Sequence, residues 1–129
     1  MIFGIGADIL DMRRIRNMYS DPDDPFFKIS FSERERGEAS GHRDPVSYFS
    51  TRFAGKEAVL KCIGIDESIR LREIEILGSE TVRPSVALTG RVKAIAEGKG
   101  IKDVIISLSY NRDYAVALAI AEDRQVDVL

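Results

Sequence analysis

A chain of 129 residues with 44% hydrophobic content is long enough for one domain with a real core and too short for two. Its charges, 31% of the residues, nearly cancel to a net −2, which excludes the broad basic surface of a nucleic-acid binder. The single Cys62 leaves no internal disulfide, no apolar run nears the roughly 20 residues that span a bilayer, and MIFGIGADILDM lacks a signal-peptide pattern, so a cytoplasmic protein is expected.

The opening IFGIGADI alternates Ile2, Gly4, Gly6 and Asp8 with Phe3, Ile5, Ala7 and Ile9, the period of a half-buried strand that Asp8 ends. From Ile9 the apolar spacing of Ile9, Met12 and Ile15 predicts a short helix carrying Arg13, Arg14 and Arg16, stopped by SDPDDP. Ser32 and Glu35 have capping-box spacing for a small polar helix that closes near Gly37 or Gly41. GHRDP reads as a loop, and a long helix follows over 46–63, ended by Gly64.

Two strands, 73–77 and 85–88, are expected around a turn at Gly78, and GRVKAIAEGKG reads as a helix with Gly98 or Gly100 at its C-terminal cap. VIISLSYN and YAVALAIAE complete the chain as strands around Asn111–Asp113. The result is a single α+β domain over 1–129 with a mainly antiparallel sheet packed around a long central helix, and 122–129 as a loose tail.

The long helix carries the chemistry. With residues about 100° apart, Val46, Phe49, Phe53 and Leu60 form an apolar stripe, while Ala54, Ala58 and Cys62 form a second face of small residues. Glu57 and Lys61 project between the two. They form either a plain i, i+4 ion pair or a carboxylate and ammonium set into a cleft. The carboxylate to join them is Asp8, beside the glycines, either as an N-cap or as a ligand. Two carboxylates and water suit Mg²⁺, and a nearby lysine suits a phosphate-bearing substrate. GIGADI is not a dinucleotide fingerprint, because Ile9 stands at the third glycine position and no βαβ unit follows.

GIGADILDMRRI together with RFAGKEAVLKCIG resembles the two signatures of the holo-acyl-carrier-protein synthases, the short bacterial 4′-phosphopantetheinyl transferases. The resemblance continues through RPSVALTGRVKAIAEGKGIKDVIISLSYNRDYAVALAI and is weakest over 20–46. It implies the 4′-phosphopantetheinyl transferase-like fold and transfer of phosphopantetheine from coenzyme A to a serine of apo acyl carrier protein. It further implies Asp8 and Glu57 as Mg²⁺ ligands, Lys61 on phosphate, and Arg52, Lys56, Ser109 and Tyr110 around the coenzyme. The serine proton is left to water or to Glu57.

By the same resemblance Arg13, Arg14, Arg16 and Met18 dock the acidic helix of the carrier protein, the alternative being a solvated polar face. A homotrimer with active sites at the subunit borders is also implied, as is a place in fatty acid biosynthesis. Tyr110 and Asn111 depart from the family's usual histidine and small hydroxyl residue, which keeps open a relative that binds coenzyme A or a carrier protein without turnover. Gly55 stands where alanine is usual, and His42 reads as a surface residue.

Overall fold

The computed structural model describes residues 1–78 and 82–124. Asp44 and Pro45 set where the long helix begins. The Asp44 carboxylate accepts the Ser47 N–H at 3.2 Å, and Pro45 sits at the first helical position, where its missing N–H costs nothing. This helix, α4 (Pro45–Ile63), stops at Gly64, whose left-handed φ of 81° suits glycine.

Before it come β1 (Ile2–Asp11), α1 (Arg13–Met18), α2 (Pro25–Ser30) and α3 (Glu33–Ser40). After it come a 3₁₀ turn (Leu71–Glu73), β2 (Ile74–Leu77), β3 (Ser85–Leu88), α5 (Gly90–Gly98), β4 (Asp103–Tyr110) and β5 (Tyr114–Glu122). The strands form an antiparallel sheet in the order β1-β5-β4 and a separate antiparallel β2-β3 ribbon. The α+β architecture therefore stands as expected.

The small-residue face of α4 explains how close the helix comes to the sheet. Ala54, Ala58 and Cys62 are buried, and so are Ala115, Ala117, Ala119 and Ala121, the inward positions of β5. On β1 the approach is closer still. A Cβ on Gly4 would stand 2.1 Å from the Cys62 carbonyl oxygen, and one on Gly6 would stand 2.1 Å from that of Ala58. No side chain fits between these backbones, so the two glycines let α4 lie directly on β1.

The larger stripe of α4 meets an aromatic cluster, with the Phe49 ring 4.8 Å from both Phe27 and Phe31. Each such buried ring contributes about 1.5–3 kcal/mol relative to exposure. The opposite face of the three-stranded sheet is apolar and open: Ile5, Ile9, Val116 and Leu118 are all exposed, with Ile9 paired to Val116 and Ala7 to Leu118.

Three elements differ from expectation. β1 runs on to Asp11, so Asp8 lies within the strand and is not a helix N-cap, and Ile9 points to the outer face. The helix α1 begins only at Arg13, because the Ile9, Met12, Ile15 spacing spans both a strand end and a helix. α2 is not among the expected elements, although its start is legible: Asp24 accepts the Phe26 N–H at 2.9 Å and Pro25 holds the first helical position.

The expected capping box of Ser32 and Glu35 is present in α3, which closes at Gly41. Strands β2 to β5 fall within a residue or two of their expected bounds, and α5 ends at Gly98 with Gly100 at φ 80°. Part of the turn after Gly78 and most of the expected tail lie outside the described residues, while Asp123 accepts a bond from the Met1 amine at 2.8 Å.

Candidate active site

The close contact of α4 with β1 brings Asp8, Glu57 and Lys61 together from two elements. The Lys61 ammonium donates to Asp8 Oδ1 at 3.1 Å and to the Ala7 carbonyl at 3.0 Å. An ammonium has three protons, and this side chain is 56% exposed, so one N–H remains for an anion arriving from solvent. Asp8 is more enclosed, with 20% of its side chain exposed.

Glu57 is half-buried beside them. Burial, and then the negative charge of Asp8, hold its carboxyl above the usual glutamate range, while Lys61 and Arg14 act in the opposite sense. Two carboxylates close enough for the charge of one to act on the other make a site for a cation. No group of three or more His, Cys, Asp or Glu arranged to hold a metal ion occurs among the described residues, and a pair is what Mg²⁺ takes when water and substrate phosphates complete its shell. The donor set fits the metal that the sequence implies.

A second cleft of about 240 Å³ lies where Arg52 of α4 faces Tyr110 of β4, with His42 and Arg43 on its wall. The Arg52 guanidinium lies 4.1 Å from the Tyr48 ring centre, donates to the Gly78 carbonyl at 2.7 Å, and leaves its buried Nε without a partner among the described residues. A planar cation held this way, beside an exposed tyrosine, suits a phosphate with an adjoining ring.

The model of the 4′-phosphopantetheinyl transferase superfamily matches residues 4–119. The chain belongs to this superfamily. It is 38% identical over 123 residues to the holo-[acyl-carrier-protein] synthase of Chlamydia muridarum, covering 94% of this chain and 95% of the relative. Among solved structures, the holo-[acyl-carrier-protein] synthase of Neisseria meningitidis superposes with a TM-score of 0.83 at 31% identity, covering 95% of this chain and 99% of that one. The synthase of Bacillus anthracis in complex with CoA (3′,5′-ADP) superposes with a TM-score of 0.77 at 27% identity, covering 96% and 99%. The phosphopantetheinyl transferase fold expected from sequence is thus shown.

Within this transferase fold the expected site residues separate. Asp8, Glu57 and Lys61 converge, and Arg52 and Tyr110 share the second cleft. Lys56 does not fit a coenzyme contact. Its ammonium is wholly buried and donates to Glu35 Oε1 at 2.8 Å, to the Leu71 carbonyl at 3.1 Å and to the Ile74 carbonyl. All three protons are used, and Glu35 in turn accepts the Ser32 and Ile76 N–H groups. Burial pulls the Lys56 pKa down against the pull of Glu35. This lysine ties α3, α4 and β2 together.

Ser109 is the neighbour of Tyr110 on a strand, so it faces the other way, onto the open sheet face opposite Val116. Arg13 is also engaged. Its guanidinium grips Asp11 at 2.6 Å, and this hydrogen bonding takes the Asp11 carboxyl down to about 2, so the pair offers little net charge to a partner. Arg14 is exposed over the Phe53 ring at 5.7 Å, and Met18 is half-buried at the end of α1. Sequence reasoning missed the influence of Arg14 on Glu57 and the place of His42 on the cleft wall, since both arise from packing between elements distant in sequence.

Proposed function

We infer that the chain transfers the 4′-phosphopantetheine group of coenzyme A to a serine hydroxyl of apo acyl carrier protein, giving the holo carrier and adenosine 3′,5′-bisphosphate. The observation that carries this is the convergence of Asp8, Glu57 and Lys61 on one solvent-reachable point, in a chain with the superfamily's fold. The serine oxygen forms a bond to the phosphorus that bears the pantetheine arm, and the bond from that phosphorus to the bisphosphate oxygen breaks.

Asp8 and Glu57 hold Mg²⁺ in this reading; when bound, the metal neutralises charge on the pyrophosphate. Lys61 directs its remaining N–H to a phosphate oxygen, where negative charge grows as the bisphosphate leaves. The serine proton leaves to Glu57 or to a water at the same site. Arg52 and Tyr110 hold the nucleotide end of coenzyme A in the second cleft. Arg14, with Met18 beside it, meets the acidic helix of the carrier protein, while Arg13 is spent on Asp11.

The open apolar face of Ile5, Ile9, Val116 and Leu118 supports a homo-oligomer, the trimer of the family resemblance, and would place Ser109 at a subunit border. The buried free thiol of Cys62, which burial pushes up to about 12, suits a reducing cytoplasmic setting. The test is the intact mass of an apo acyl carrier protein after incubation with this protein, coenzyme A and Mg²⁺, beside an Asp8→Ala control. One added phosphopantetheine group, absent in the control, is expected. Coenzyme A binding with no gain on any of several carriers would establish the non-catalytic alternative instead.

A further inference from the structure

Glu38 does not line the second cleft, yet it touches residues that do. It lies one turn beyond Glu35 on α3, and the two carboxylates meet the same edge of the β2 segment. Glu35 accepts the Ile76 N–H at 3.0 Å, and Glu38 accepts the Gly78 N–H with both oxygens, at 2.9 and 3.2 Å. Residues two apart in an extended chain point their N–H groups the same way, which is why one helix serves both. Each carboxylate also meets a cation of α4: Glu35 holds Lys56 at 2.8 Å and Glu38 faces Arg52 at 3.7 Å. The two cations are one helical turn apart. The acids of α3 therefore form a ladder of two rungs between the β2 backbone and α4, the Glu35 rung closed in the core and the Glu38 rung at the cleft.

The outer rung closes on Gly78. Its N–H goes to Glu38 and its carbonyl accepts from Arg52 Nη2 at 2.7 Å, so both of its backbone polar groups are held by an acid and a base that face each other. Tyr48 adds its hydroxyl to Glu38 at 2.9 Å and its buried ring to the Arg52 guanidinium. Gly78 in turn lies against the cleft wall: a Cβ there would stand 2.8 Å from the Pro84 Cα and 2.9 Å from the Val82 carbonyl oxygen. Glu38 thus reaches two members of the cleft, Arg52 directly and Pro84 through Gly78.

We propose that Glu38 is a positioning residue for the nucleotide end of coenzyme A, holding Arg52 and the Gly78–Pro84 contact in the geometry that binds it; this rests on the coenzyme reading of the second cleft. By charge alone a carboxylate beside an anion site weakens binding. Its hydrogen bonds act the other way, since without an acceptor here the Tyr48 hydroxyl and the Gly78 N–H both lose their partner and Arg52 is steered by Gly78 alone. Oε1 by itself takes the Tyr48 hydroxyl and the shorter Gly78 bond and faces Arg52. A glutamine oxygen at that point keeps these contacts, and alanine removes them. The two variants therefore separate positioning from charge.

The test is direct binding of adenosine 3′,5′-bisphosphate by calorimetry to the wild type, Glu38→Ala, Glu38→Gln and Tyr48→Phe, with kcat, Tm and the KM for coenzyme A and for the carrier measured alongside. Glu38→Ala is expected to weaken nucleotide binding about tenfold and to raise the KM for coenzyme A alike, with kcat and the KM for the carrier level. Glu38→Gln stays within about twofold of the wild type, and Tyr48→Phe weakens binding about threefold. Unchanged nucleotide affinity in Glu38→Ala, with only Tm lowered, reduces Glu38 to a tie between α3 and β2 and overturns the proposal. Tighter binding in both Glu38 variants also overturns it, leaving the carboxylate as a plain opposing charge. If Glu38→Ala does not fold, Tyr48→Phe decides, and level binding there overturns the proposal. Wild-type protein that binds no nucleotide removes the coenzyme reading of the cleft and this proposal with it. Wild-type protein that binds the nucleotide and transfers nothing removes the transferase reading alone, while the binding comparison still decides this one.

Discussion

Lys56 separates two accounts of the same signature, and one substitution distinguishes them. If Lys56 touched the coenzyme, Lys56→Met would raise the KM for coenzyme A and leave the fold alone. In the structure the ammonium is wholly buried on Glu35, Leu71 and Ile74, so the substitution strands a buried carboxylate. Removing one partner of such a pair costs about 3–5 kcal/mol. For a domain of this size that is a fall in Tm of about 10–20 °C.

Glu35→Gln weakens the same cluster from the other side, since Glu35 also accepts the Ser32 and Ile76 N–H groups at 2.9 and 3.0 Å. The double variant should lose less than the sum of the two single losses by about 1–3 kcal/mol, the signature of a shared interaction. Thermal and urea unfolding give the cycle, and the folded fraction of Lys56→Met at low temperature gives the KM. A variant with unchanged Tm and a tenfold higher KM for coenzyme A would refute the reasoning and return Lys56 to the coenzyme site.

Glu57→Gln is expected to reduce turnover at least a hundredfold in the mass assay, near-normal turnover removing Glu57 from the site. The folded protein holds Glu57 above its unfolded pKa, so its ionisation opposes folding: the favourable contribution is present at low pH and lost as pH rises through the folded value. The same variant should therefore gain Tm at neutral pH, with the gain shrinking as pH falls below the usual glutamate range. Gly6→Ala puts a Cβ 2.1 Å from the Ala58 carbonyl and 2.7 Å from the Cys62 nitrogen, and backbone cannot swing aside. A loss of about 1–3 kcal/mol or more, together with lower turnover as Asp8 and Lys61 separate, is expected from unfolding and activity measurements. Leu118→Asp, on the open sheet face, should convert the proposed homotrimer to monomers by light scattering with the circular dichroism spectrum unchanged, whereas a monomeric wild type would dispose of the trimer. Arg14→Glu should raise the KM for the carrier and shift the acid limb of the pH–rate profile upward, since Arg14 lowers the Glu57 pKa; a level KM removes the docking role.

Much of this protein is local and hence legible in its chain. The Ser32–Glu35 capping box, the Asp44–Pro45 start and Gly64 end of α4, and the alternation of β5 are set by neighbours within a turn or a pleat. The placement of Glu57 and Lys61 one helical turn apart follows in the same way. Asp24-Pro25 carried an equally local signal that marks the start of α2.

The tertiary structure decided what side chains do once faces meet. Lys56, Glu57 and Lys61 share one helix within six residues, yet the first enters the core and the other two stand beside Asp8 nearer the surface, because α4 turns each by about 100° per residue toward different neighbours. No periodicity in the chain could name Glu35 as the partner of Lys56, Asp11 as that of Arg13, or Asp8 as that of Lys61, since each depends on which surfaces pack. The glycines of GIGADI join the two levels. They are visible in the chain as small residues at alternate positions, but only the helix lying 2.1 Å from where their Cβ atoms would stand shows that they hold the site closed.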